Sequence, residues 1–456
     1  MSEKLIDQMT KVISDIPLTH DVGRIIAASE QTVVVSARQD RVCVGDPCVV
    51  RTRQSAFPGE VSRLEADAVH VLLHRSAAGI RVNDPVIFST PPPFAPDTSW
   101  IGRVIDPQGR PLDGRPILPG LVAIDGRSAP TTPQARRDFG PRLETGLAVF
   151  NTLLPIVRGQ RIGLFAGSGV GKSTLLADLA RGVEADVIVI GLVGERGREI
   201  QHFVQHVLGA EGLRRSIVVA AASDQAPHLR RNCVGSAMSV AEYFRDQGKH
   251  VLLLIDSVTR FCEAHREVAV AAGEPANLRG FPASTNAAVA SLCERAGPGV
   301  QKQGDITAVF TVLVAGSDME EPVADMLRGV LDGHVVMERD IAERGRFPAI
   351  NVLRSVSRSL PQAATDQENA LISDARARLA IYDRAEMMIQ AGLYRSGTDA
   401  TIDQAVASFE PLDTFLSIKD ARGALAHFAK LRQALASRPV STQNPTGPTS
   451  PAETRG

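Results

Sequence analysis

The spacing of apolar residues changes four times along the chain, and each change predicts a different kind of element. Leu5, Ile6, Met9, Val12 and Ile13 recur at helical spacing, so residues 1–20 are expected to carry a short amphipathic helix. Its stripe has two readings: packing on its own domain, or docking on a partner. From 21 to 92 the apolar runs shrink to strand length. Gly23–Ile26, Thr32–Ser36, Pro47–Arg51, Ala68–Leu73 and Pro85–Phe88 are separated by Gly, Asp and Asn turns. About six such strands in so short a segment predict a closed barrel. The run Ser89-Thr90-Pro91-Pro92-Pro93-Phe94-Ala95-Pro96 reads as a stiff proline linker.

From about 93 to 360 the runs lengthen and lose their alternation. Asp186–Val193, Ser216–Ala220, His250–Ile255, Ile306–Val314 and His334–Met337 are rich in β-branched residues and Leu, and helical patterns lie between them. Such runs suit strands of a mainly parallel sheet covered on both faces. From 361 to 436 the chain reads as helical. Thr365 and Glu368 have capping-box spacing, and Ile372, Ala375, Leu379 and Tyr382 form an apolar stripe. Residues 437–456 are rich in Pro, Ser and Thr with almost no apolar side chains, which predicts a disordered tail. The expected fold is multidomain: an N-terminal β-barrel, a central α/β domain and a C-terminal α-helical domain.

Composition narrows the function classes. A chain of 456 residues exceeds one hydrophobic core. Hydrophobic content of 44% and a mean hydropathy of −0.01 describe an ordinary globular protein. No apolar run reaches the roughly 18 residues of a membrane span. The opening Met1-Ser2-Glu3-Lys4 begins no signal-peptide core, so the expected location is cytoplasmic. A formal net charge of −1 supplies no bulk attraction for nucleic acid. Cys43, Cys48, Cys233, Cys262 and Cys293 are odd in number and scattered, and buried free thiols are expected rather than disulfides or a metal site.

The most informative segment is Ala166-Gly167-Ser168-Gly169-Val170-Gly171-Lys172-Ser173, set between the apolar run Arg161–Phe165 and a helical pattern that starts at Ser173 and Thr174. Its glycines let backbone N–H groups turn toward a polyphosphate, and the helix N-terminus adds a positive dipole end. Lys172 can reach the β- and γ-phosphates of a nucleoside triphosphate, and Ser173 can ligate Mg²⁺. Val251–Asp256 is an apolar run ending in a carboxylate, suited to holding Mg²⁺ beside Ser173. Glu195 closes another such run and can polarise an attacking water; the alternative is a solvated charge cluster with Arg196, Arg198 and Glu199. Arg358 is either a surface residue or an arginine supplied in trans to a neighbour's site, which requires a ring. Phe347 is either core or a face for stacking on a base.

These residues resemble the flagellar protein export ATPases, the type III secretion branch of the rotary ATPase catalytic-subunit superfamily. The resemblance rests on 163–173 and 191–199, and continues through 102–113, 279–282, 294–297, 331–334, 347–358 and 392–403. It covers roughly residues 20–435. It implies a RecA-like P-loop domain over 93–360 that binds ATP and Mg²⁺. Ala166 through Thr174 would bind the phosphates, Ser173 and Asp256 the metal, and Phe347 the adenine. Glu195 would be the catalytic carboxylate, with Lys172 on the phosphates, Arg260 near the terminal phosphate, Arg196 holding the site's geometry and Arg358 as the neighbour's finger. It further implies a homohexamer and a stator-like regulatory protein bound by the N-terminal segment. Export chaperones and cargo, and peripheral association with a membrane export gate at the inner membrane, follow too. Ala283-Ser284-Thr285-Asn286 departs from the bulkier residues expected there.

Four rivals are weighed. A rotary ATP synthase catalytic subunit usually begins this loop with Gly-Gly, whereas here it begins with Ala166. An injectisome ATPase has the same fold and chemistry; the loop starting Ala-Gly leans flagellar. A hexameric RNA translocase needs a barrel with stacking aromatics, whereas 21–90 holds only Phe57 and Phe88. A non-hydrolysing ring subunit conflicts with the retention of Glu195, Lys172 and Asp256.

Overall fold

The structure is a computed structural model that describes residues 3–17, 19–37, 39–91, 93–124, 133–276, 280–314 and 319–436. The expected tail, 437–456, lies outside the described residues, as does Arg279.

Six antiparallel strands close the barrel: β1 (Asp21–Ala28), β2 (Thr32–Ser36), β3 (Pro47–Arg51), β4 (Ala56–Leu64), β5 (Val69–Leu73) and β6 (Pro85–Phe88), in the order β1-β2-β5-β4-β3-β6. Alternate residues point inward, as a period of two requires. Ile25, Val33, Val35, Val50, Val69, Val71 and Val86 are fully buried there. β4 has no counterpart among the strand-like runs. Its inward positions are Phe57, Gly59 and Val61, and its other face carries Glu60, Ser62 and Arg63, so its apolar signal is thin. A Cβ at Gly59 would stand 2.8 Å from Val71 Cγ1 and 3.0 Å from the Leu72 carbonyl oxygen, so only glycine fits the barrel there.

The central region is a nine-stranded sheet among the described residues. Its strands are β7 (Arg103–Ile105), β8 (Arg161–Ala166), β9 (Val187–Glu195), β10 (Ser216–Ala222), β11 (Val251–Asp256), β12 (Gly297–Pro298), β13 (Asp305–Leu313), β14 (Gly333–Met337) and β15 (Ile350–Ser357). The order is β15-β14-β8-β13-β11-β9-β10-β7, parallel except for the edge strand β15 and the short β12. Ile188, Ile190, Leu252 and Leu254 enter one core, while Val187, Val189, Leu253 and Ile255 enter the core on the opposite face. The uninterrupted apolar runs follow from this double burial. β8 sits between β14 and β13 while the chain continues to the distant β9, so the carboxyl end of β8 is a topological switch point, where open α/β sheets bind ligands.

Helices Asp366–Gln390, Ala400–Leu416 and Gly423–Leu435 form the C-terminal bundle. Thr365 and Glu368 make the expected capping box, and Arg142 ties Glu368 to the central region at 3.1 Å. Ile372, Ala375 and Leu379 are buried; Tyr382 instead stacks on Phe409 with ring centroids 3.6 Å apart. Four cysteines are buried thiols as expected, but Cys43 is exposed.

The helix Glu3–Ser14 contacts the rest of the chain through its polar side. Lys4 pairs with Asp97 at 2.8 Å, Gln8 donates to the Pro119 carbonyl at 3.0 Å, and Lys11 donates to the Leu121 carbonyl. Its apolar stripe faces out: Ile6 is 48% exposed, Met9 47% and Ile13 67%. The helix is thus held on its own chain as in the first reading, but by its polar side, with Leu5 half-buried and the rest of the apolar stripe left outward.

Candidate active site

β8 ends at Ala166, and the phosphate-type loop leads into the helix Lys172–Gly182. Gly169 and Gly171 have φ of +78° and +87°, a backbone that L side chains rarely adopt. Ala166 closes the strand buried, where no positive φ is required, so alanine replaces glycine there without strain. Ser168, Ser173 and Thr174 are exposed at the mouth, and Val170 anchors the loop in the core.

The sheet register brings the acidic residues to the same edge. Asp256 ends β11 and pairs in register with Leu192 of β9, whose last residue is Glu195. Lys172 reaches across β13 to form an ion pair with Asp256 Oδ1. Thr311, in β13 between β8 and β11, donates to the same oxygen at 2.7 Å. Burial, reinforced by the negative charge of Asp256, pushes the Glu195 carboxyl up to about 7; the Lys172 ammonium opposes that shift. A half-buried carboxyl at this value is unlike a solvated surface glutamate, and it suits a base acting near neutral pH.

Phe347 lies at the same edge. A Cβ on Gly171 would stand 3.2 Å from the Phe347 ring, so the aromatic face borders the loop, 44% exposed. Buried Arg346 holds this segment by donating to the carbonyls of Pro348 at 3.1 Å and Ile350 at 2.8 Å, and it pairs with Asp413 of the C-terminal bundle. Arg260 packs against Gly194, next to Glu195, and pairs with Glu263 at 2.9 Å. Arg196 follows Glu195 but points to solvent and pairs with Glu199 at 3.4 Å.

Arg358 lies elsewhere. Ala166 pairs with Met337 and Met337 with Ile350, so the Ile350 end of β15 is at the loop's edge. Ser357 pairs with Gly333 at the other end of β14, four residues or roughly 13 Å away. Exposed Arg358 therefore sits at the edge of the sheet opposite the chain's own loop, touching the Arg328 carbonyl.

Residues 146–357 match the ATP synthase alpha/beta family, nucleotide-binding domain, and residues 364–437 match the T3SS EscN ATPase C-terminal domain. The flagellum-specific ATP synthase of Caulobacter vibrioides is 41% identical over 403 residues, covering 87% of this chain and 91% of that protein. The chain belongs to the flagellum-specific ATP synthase family. The Bacillus subtilis relative of the same description is 45% identical over 319 residues, 70% of this chain and 72% of that one. Among solved structures, the assembled ATPase EscN from the enteropathogenic E. coli type III secretion system matches with a TM-score of 0.82 at 33% identity. It covers 91% of this chain and all of that one. EscN in complex with its central stalk EscO matches with a TM-score of 0.80.

Membership in the flagellum-specific ATP synthase family makes the chain an ATP-hydrolysing P-loop ATPase. The loop, Glu195, Asp256, Phe347 and Arg260 converge on one edge of the sheet; Arg196 is beside it in solvent, and Arg358 is at the opposite edge. Thr311 went unread as a site residue. Its signal was present: Thr307 and Thr311 interrupt the apolar run of β13, and a buried hydroxyl needs a partner.

Proposed function

We infer that the chain is the ATP-hydrolysing subunit of the flagellar type III protein export apparatus, working as a homohexameric ring. The observation that carries the mechanism is the meeting of Lys172, Asp256 and Glu195 at the switch point of the sheet. Backbone N–H groups of Gly167 to Thr174 and the helix dipole hold the phosphates, and Lys172 moves from Asp256 to them. Phe347 gives the adenine its platform. The donor set fits Mg²⁺: the hydroxyl of Ser173 at a helix start and the carboxylate of Asp256 are hard oxygen ligands. Bound there, Mg²⁺ neutralises charge on the phosphates. Glu195 accepts a proton from the attacking water, while Arg196 braces the following turn through Glu199 and Arg260 lies toward the terminal phosphate. Arg358, turned away from its own loop, serves the neighbouring subunit's site.

The relatives at 41–45% identity are flagellar, whereas the injectisome ATPase EscN stands at 33%, and this favours flagellar export over the injectisome reading. Phe57 and Phe88 both point into the barrel, which leaves that barrel without an exposed Phe, Tyr or Trp for stacking RNA. No described helix is long and apolar enough to cross a membrane. We place the chain in the cytoplasm, at the inner membrane through its partners, with export chaperones, cargo and the export gate as the apparatus it serves. Domain limits at 20/21, 92/93, 360/361 and 436/437 accompany this reading. Specific activity is expected to rise with protein concentration as rings form, with mass in solution followed in parallel. Constant specific activity from monomer upward would remove the trans role of Arg358.

The outward stripe on Glu3–Ser14 supports docking of the stator-like regulatory protein. Burying an Ile or Met side chain yields about 1.5–3 kcal/mol, a gain this face forgoes in the single chain. Changing Ile6, Met9 and Ile13 together to serine is expected to abolish capture of that protein in a pull-down. ATP turnover of the isolated subunit should stay unchanged. Retained capture would return the helix to a structural role.

A further inference from the structure

We propose that Thr311 is a positioning residue for Asp256, holding its carboxylate for the metal while Lys172 changes partners. The inference rests on the reading of Asp256 as the metal-binding carboxylate. Asp256 is 4% exposed, and among the described residues the side-chain hydrogen bonds it receives, from Lys172 and Thr311, both end on Oδ1. That leaves Oδ2 for the metal or its water.

The two donors behave differently when a nucleotide arrives. Lys172 sits on a flexible stem at the phosphate loop, and the phosphates compete for its ammonium. Once it leaves, a buried carboxylate has lost its ion-pair partner, and losing a partner inside a protein is costly. Thr311 cannot leave. It lies in the middle of β13, flanked by β8 and β11, and its χ1 is restricted by β-branching. Phe310 pairs with Ile255, so Thr311 stands level with Asp256 on the neighbouring strand, and its hydroxyl donates at 2.7 Å. Its side chain is fully buried, with Oγ1 committed to this one carboxylate. The hydroxyl therefore keeps Oδ1 fixed, and with it the direction of Oδ2, through the exchange.

The test is equilibrium binding of a fluorescent ADP analogue to the full chain, with and without Mg²⁺, compared with melting temperature. Thr311→Val keeps the shape and removes the hydroxyl. It is expected to lose about 10- to 100-fold of the Mg²⁺-dependent gain in affinity, the worth of a hydrogen bond to a charged group. Metal-free affinity should remain near that of the unmodified chain, and melting temperature should fall by only a few degrees, the cost of one buried hydrogen bond. Thr311→Ser restores the hydroxyl and should restore the gain. A Thr311→Val chain with the full Mg²⁺ gain would overturn the proposal, and so would a Thr311→Ser chain that falls as far as Thr311→Val. If Thr311→Val does not fold, Thr311→Ala is compared with Thr311→Ser under the same two criteria. Asp256→Asn separates the two levels of the argument. If it keeps the Mg²⁺ gain, the metal role of Asp256 fails; if it loses the gain while Thr311→Val does not, only the role of Thr311 fails.

Discussion

Replacing Glu195 by glutamine is expected to leave ATP binding intact and to lower turnover by about 10²- to 10⁴-fold, the usual worth of a positioned general base. Glutamine preserves size and hydrogen bonding but cannot take a proton from water. Steady-state turnover and equilibrium nucleotide binding, measured on one preparation, separate the two effects. The pH dependence adds a second readout. Burial and the charge of Asp256 raise the Glu195 carboxyl to about 7, so below that value the base is protonated and inactive. In the unmodified chain kcat/KM for ATP should therefore fall as pH drops through about 7 and level off above it. In Glu195→Gln this limb should vanish from the residual rate. Unchanged turnover in Glu195→Gln would reassign the base.

Arg358→Ala is expected to lower turnover by about 10³- to 10⁵-fold, the range for a finger that stabilises transition-state charge. It should do so without weakening nucleotide binding by the mutant subunit, because the residue sits at the far edge of its own sheet. The deciding measurement mixes two inactive chains. A subunit carrying Arg358→Ala retains Glu195, and one carrying Glu195→Gln retains Arg358. At interfaces where the first supplies the site and the second supplies the arginine, a complete site re-forms, so the mixture should regain part of the lost rate. No recovery in mixed rings would place Arg358 in a structural role.

Much of the site was legible because its parts are contiguous in sequence or end a recognisable run. The loop 166–173 carries its glycines, lysine and serine together, and its left-handed residues, Gly169 and Gly171, are the ones backbone geometry demands. Asp256 and Glu195 close apolar runs that the sheet buries on both faces. Phe347 has no such local signal, since one aromatic residue far along the chain has no local reason to face a ligand; the segment leading into β15 brings it to Gly171. Arg260 and Arg196 show the limit of proximity in sequence. Each lies close after a site carboxylate, yet one packs by Glu195 and the other points to solvent. Strand β4 was missed because Gly59 and three polar residues dilute its alternation, although closure of the barrel depends on it.

By itself the sequence determined that this chain has a barrel, a phosphate-binding α/β domain and a helical bundle, since each of these is written in local periodicity and in one contiguous loop. It also determined the chemical inventory of the nucleotide site. Tertiary structure alone decided which groups share an edge of the sheet. Strand order and register are set by long-range pairing, and they carry Thr311 to Asp256, Phe347 to the loop and Arg358 away from it. The orientation of the N-terminal helix was likewise decided there: its amphipathicity is local, but which face turns inward depends on Asp97 and on the carbonyls of Pro119 and Leu121, about a hundred residues away.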